Sequence, residues 1–173
     1  MLKQTFIGMI TWQDIKMRTA SILLASALLC ISSTQAHAET GSRLPMNQVY
    51  RGTIHLPDFN GRDSQYARFK TKITNEMKTG PNFAGHYAIV TVGCGTSCNF
   101  SFVGDVATGQ VFSFPYGGEE YYMLQLRYGV KDNSVSVKWV ENEVCNSDYI
   151  TWNGNEFTTT GKTVLGAREK CDY

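Results

Sequence analysis

Two cysteines, Cys94 and Cys98, bracket the short segment Gly95-Thr96-Ser97, and His86 precedes them in the run Gly80-Pro81-Asn82-Phe83-Ala84-Gly85-His86-Tyr87. This set admits three chemistries. A thiolate at Cys98 or Cys94 could act as a nucleophile if a base such as His86 activated it, with the glycine-rich turn donating amides to an oxyanion. Two thiolates could join His86 or His55 around a metal, although zinc requires a fuller ligand set at recognisable spacing. The same two sulfurs could instead pinch a tight turn as a disulfide. The spacing favours the disulfide. Along an extended strand, the eight steps from His86 to Cys94 cover about 26 Å, so a dyad would need Cys98 or a folded-back loop. No catalytic residue, metal or cofactor is assigned on this reading, and Cys98, Cys94 and His86 stand as the catalytic alternative.

Three other features could carry function. The amides of Gly93 to Cys98 could converge on an anion, but the turn holds no basic residue. Asp105, in Asp105-Val106-Ala107-Thr108-Gly109, is explained by a side-chain oxygen accepting from the backbone amides of its own turn. The loop Pro115-Tyr116-Gly117-Gly118-Glu119-Glu120-Tyr121 is acidic and aromatic, and surface loops carry recognition more often than their scaffold does. Tyr116, Glu119, Glu120 and Tyr121 are therefore the expected binding residues.

These positions need a scaffold, and hydrophobic periodicity outlines it. Thr53-Ile54-His55-Leu56, stopped by Pro57, suits a short edge strand. Asp63 or Ser64 begins a helix whose Tyr66, Phe69, Ile73 and Met77 share one stripe, and Gly80-Pro81 ends it. After Gly85 the period becomes two. Ala88, Val90 and Val92 alternate with Tyr87 and Ile89, which predicts a strand inside a sheet and covered on both faces. Further strands follow at 99–104, 110–114, 122–128 and 135–139. The pattern Tyr149–Trp152, Asn153-Gly154, Asn155–Thr159 reads as a hairpin, and Val164-Leu165 as a last short strand. The expected fold is α+β: one N-terminal helix packed on a mostly antiparallel meander of about six or seven strands, possibly a partial barrel.

The chain has 173 residues, of which the first 38 read as a leader and signal peptide. Met17-Arg18 opens a cationic stretch, Ser21 to Ile31 is almost wholly apolar, and Ala36-His37-Ala38 provides the small residues of a cleavage site before Glu39. Asp14 and Trp12 suit neither a signal peptide nor a domain, so Met17 is the expected start. Cys30 could direct lipidation, but Leu29 stands where a small residue is needed, which favours a protein with no stable membrane anchor.

Residues 39–173 then form a single domain. Removing Lys3, Lys16, Arg18 and Asp14 leaves 13 basic and 14 acidic side chains, a net charge of −1, without single-sign runs. Nothing in that balance favours nucleic acid as a partner. Four cysteines remain, and an even count in an exported chain reads as two disulfides. Cys94–Cys98 and Cys145–Cys171 are the favoured pairing.

The segments Gly80–Tyr87, Gly93–Cys98 and Asp105–Gly109, with the late Tyr149-Ile150-Thr151-Trp152-Asn153-Gly154-Asn155-Glu156-Phe157 hairpin, resemble a recurring pattern in a family of small exported bacterial proteins. The resemblance implies export and a sheet, and carries no activity with it. The sequence therefore favours a periplasmic or secreted, non-enzymatic binding or inhibitor module, with an unknown protein or small ligand of the cell envelope as partner. A Cys/His hydrolase or transferase and an envelope structural or assembly factor are the alternatives.

Overall fold

The computed structural model describes residues 45–172; the leader, its cleavage site and Cys30 lie outside the described residues. A 3-10 turn, Ser64–Phe69, leads into one helix, α1 (Lys70–Lys78). Eight strands follow: β1 (Tyr87–Gly95), β2 (Cys98–Asp105), β3 (Val111–Gly117), β4 (Tyr122–Arg127), β5 (Ser134–Glu141), β6 (Val144–Trp152), β7 (Phe157–Thr159) and β8 (Thr163–Ala167). The α+β class and the antiparallel pairing agree with expectation. The single meander does not, and among the described residues no barrel closes. The strands form two sheets, β1-β2-β3 and β4-β5-β6-β7, with β8 also paired to β6. The break falls after β3, where Gly118 adopts φ +90°. The ladder ends there and the chain crosses to start the second sheet.

The layers are helix, three-stranded sheet and five-stranded sheet. Alternation along β1 explains the order. Ala88 and Val90 join Tyr66, Ile73, Met77 and Phe102 beneath the helix. Tyr87 and Ile89 join Phe83, Phe114, Val137 and Trp152 between the sheets. Both faces of Tyr87–Val90 are thus buried, as the sequence predicts, but β1 is an edge strand and β2 is central. Asn82 resolves the apparent conflict. Its Oδ1 accepts the Ile89 N–H at 2.8 Å and its Nδ2 donates to the Ile89 carbonyl at 3.1 Å. One amide side chain thereby stands in for a neighbouring strand, and leaving those buried groups unpaired would cost free energy.

Two glycines allow close layers. A Cβ at Gly104 would lie 2.5 Å from the Met77 sulfur, so the helix rests directly on the β2 backbone. Gly85, at φ +79°, lies under the N-terminal segment, where a Cβ would come within 2.6 Å of the Gln48 carbonyl oxygen.

Three further expectations are corrected. Residues 53–56 form no ladder; the His55 N–H donates to the Val106 carbonyl. Helical structure does begin at Ser64, but its first turns are 3-10, and Asp63 makes no capping bond to them. The Asp63 carboxylate is taken instead by the Asp58 and Val111 amides and by Arg62. Finally, Pro115, Tyr116 and Gly117 are not loop residues but the end of β3.

Both favoured cysteine pairs are bonded, Cys94 to Cys98 across the β1–β2 turn and Cys145 to Cys171. In the chain-entropy account, the long closure is worth about 3.5 kcal/mol and the short one about 2. Replacing Cys145 and Cys171 by Ala should therefore cost more in urea denaturation than replacing Cys94 and Cys98. Asn82→Ala should lower stability by about 2 kcal/mol and accelerate hydrogen exchange at the Ile89 amide. Unchanged exchange at Ile89 would refute the edge-clamp assignment.

Candidate functional site

The residues singled out from sequence do not converge. Cys94 and Cys98 close the far end of the β1–β2 hairpin, while His86 precedes the opposite end of β1. Both thiols are held in the disulfide, so neither can act as a nucleophile while it stands. Among the described residues, no group of three or more His, Cys, Asp or Glu side chains is arranged to hold a metal.

His86 is interior, 5% exposed, with its ring centroid 4.1 Å from that of Tyr87. Its Nε2 lies 4.0 Å from Asp105 Oδ2, and its Nδ1 is buried without a hydrogen-bond partner. Burial lowers the imidazole pKa, and the Asp105 charge opposes that only in part. Asp105 itself serves its turn, Oδ1 accepting the Ala107 N–H and Oδ2 the Thr108 hydroxyl.

Tyr116, at the end of β3, and Tyr121 point inward. Tyr116 donates its hydroxyl to Asp148, which also accepts from Thr159, Thr160 and the Tyr149 amide. Burial pushes the Asp148 carboxyl up, but these four donors outweigh it and hold it below its ordinary value. Burial, reinforced by the Asp148 hydrogen bond and charge, pushes the Tyr116 phenol up to about 12. Tyr116 and Tyr121 pack on each other and on Trp139 at centroid separations of 5.0–5.5 Å. Of the four expected binding residues, Glu119 and Glu120 are exposed, and Tyr116 and Tyr121 are half-buried.

A different region has the features of a site. The inner face of the five-stranded sheet carries Val135, Val137 and Trp139, so the intervening β5 residues face outward. Strand register places Arg127 opposite Ser136 and Ser136 opposite Tyr149, forming one cross-strand row on that outer face. The row floors an open groove of about 510 Å³, walled by Tyr128 and the Lys131-Asp132-Asn133 turn. Tyr149 is 53% exposed and Tyr128 36%. Burial raises the Tyr128 phenol pKa, with help from the Glu76 charge.

The groove is held firmly from behind. The Ala84 and Gly85 amides donate to the carbonyls of Asp132 and Val130 at 3.1 and 2.6 Å. Phe83, fully buried, meets the Tyr128 ring edge-on at 5.9 Å. Asn133 accepts the Trp152 N–H through its backbone and donates its side-chain amide to the Trp152 carbonyl. The Asn82–His86 loop, the densest motif in the sequence, thus supports a binding wall and contributes no reactive group to it. Sequence reasoning missed the groove because its residues come from separate strands. The available signal was an arginine and a tyrosine at outward positions of two strands.

His86 generates a pH prediction. The unfolded chain takes up a proton near the ordinary histidine pKa of about 6.5, whereas the folded protein resists it. Stability from this group is therefore complete above that pH and declines as pH falls toward the lowered folded value. Urea denaturation should show this decline in the native protein and a flatter profile in His86→Gln.

Among the described residues no helix is long and apolar enough to cross a membrane. Comparison of the chain with known protein families, with curated proteins and with solved structures finds no match in any of the three.

Proposed function

We propose that this protein is a non-enzymatic binding module of the cell envelope or exterior, and that it captures a polar ligand on the outer face of its five-stranded sheet. The observation that carries this reading is the groove over the Arg127–Ser136–Tyr149 row. It is concave, lined by groups that form hydrogen bonds, and braced by the core through Phe83 and Asn133. The backbone of its turn wall is held in place before any ligand arrives, which lowers the entropic cost of association. The two disulfides support the same reading, since they fit an oxidising compartment. An exported protein of the periplasm or medium would meet its ligand there.

A second reading rests on Glu119 and Glu120. These exposed carboxylates follow Gly118 on a turn anchored by Tyr116 and Tyr121 against Trp139. A rigid acidic tip of this kind suits docking to a basic protein surface, as an inhibitor or assembly factor would require.

Amide chemical-shift mapping of the isotopically labelled mature protein against a panel of polar small molecules separates the two. Perturbations should centre on residues 127–136 and Tyr149, and they should vanish in Lys131→Gln/Tyr149→Ala with little change in Tm. Perturbations confined to residues 115–121, or a panel without effect, would remove the groove from consideration.

A further inference from the structure

The composition of the groove narrows its ligand. Lys131 and Asp132 are the ionic groups of its turn wall, and Arg127 stands at one end of its floor. Among the described residues the Lys131 ammonium has no ion-pair partner. Hydroxyls at Ser134 and Ser136 and the two partly exposed phenol rings complete the lining.

Each feature excludes a ligand class. A bare inorganic anion would use the cations and ignore the rings. An apolar ligand would leave the charged and hydroxyl groups desolvated without partners, at a cost in free energy. A nucleic acid needs a continuous basic surface, and residues 39–173 carry a net charge of −1. A sugar ring presents C–H groups on one face and hydroxyls at its rim. The faces suit the flat apolar body of a tyrosine, and the rim suits serine hydroxyls and the Asp132 carboxylate. A carboxylate on that sugar would answer the Lys131 ammonium.

The floor of the groove has a matching dimension. Arg127 and Tyr149 are separated by two interstrand spacings, about 10 Å, which is room for one or two sugar rings.

We infer that the groove binds an anionic saccharide, a sugar bearing a carboxylate. Its ring lies across Tyr149 and Ser136, and its acid group is directed to Lys131. This inference rests on the groove being the binding site, and the experiment is arranged so that the two can fail separately.

Trigalacturonate serves as the probe, with maltotriose as its neutral counterpart and acetate as the bare carboxylate, each titrated into the mature protein at low salt. Trigalacturonate should shift the amides of residues 127–136 and Tyr149. Maltotriose should bind at least tenfold more weakly, and acetate should leave those amides in place at matched carboxylate concentration. Lys131→Gln and Tyr149→Ala, both at the surface, should each weaken trigalacturonate at least fivefold while circular dichroism remains native.

Equal binding of maltotriose would overturn the charge requirement, and an equal response to acetate would reduce the site to an anion contact. Either result overturns the anionic-saccharide assignment. If trigalacturonate has no effect while another polar compound shifts the same amides, the saccharide assignment falls and the groove stands. If no compound shifts them, both fall.

Discussion

A strand with apolar side chains on both faces must be covered twice, and this requirement at Tyr87–Val90 sets the architecture. One cover is the helix with its 3-10 entry; the other is the inner face of the five-stranded sheet. Fully burying a side chain of this size stabilises the fold by about 2 kcal/mol, so neither cover is dispensable. The strand also lies at a sheet edge, where its outer amides and carbonyls would be buried unpaired without help. Asn82 supplies the missing partners at Ile89, and the Asn82 and Phe83 amides both donate to the Tyr87 carbonyl. The loop before β1 therefore completes a sheet, and its next two amides reach across to hold the β4–β5 turn.

The two sheets also share a polar contact. Asp148, on β6, accepts the Tyr116 hydroxyl from β3 together with Thr159 at the end of β7. A buried carboxylate with both oxygens accepting hydrogen bonds fixes the relative placement of the elements it joins, because any slip would strand a charge. The same contact turns the aromatic half of the acidic loop toward the interior. Tyrosines that read as recognition residues in sequence become the wedge between sheets.

Much of this was legible in the residues. Period-two alternation located most strands, the stripe from Tyr66 to Met77 located the helix, and the cysteine count pointed to two cross-links. Less legible was anything decided by partners distant in sequence. Alternation states that a segment is a strand but not which ladder it joins, so the division into two sheets was hidden. The first half of β6 was missed because Asn146 and Asp148 are buried polar residues that interrupt its pattern. The turn between β5 and β6 escaped notice because Asn142 and Glu143 both adopt positive φ, and glutamate is an unusual residue for that conformation. The groove was invisible for the same reason as the sheets: residues 127 and 149 become neighbours only through the register of β5 with both adjoining strands.

The bond between Cys145 and Cys171 has a mechanical consequence. β6 is paired along one edge with β5 and along the other with both β7 and β8, and all of β7 and β8 lies within the sequence that this bond closes. A chain pulled from its two ends would transmit tension through the sulfur bridge and bypass that sequence. At roughly 3.4 Å per extended residue, the 26-residue separation withholds about 90 Å of contour. The hairpin that carries Trp152 and Phe157 would thus carry no tension under a load that peels the preceding strands apart.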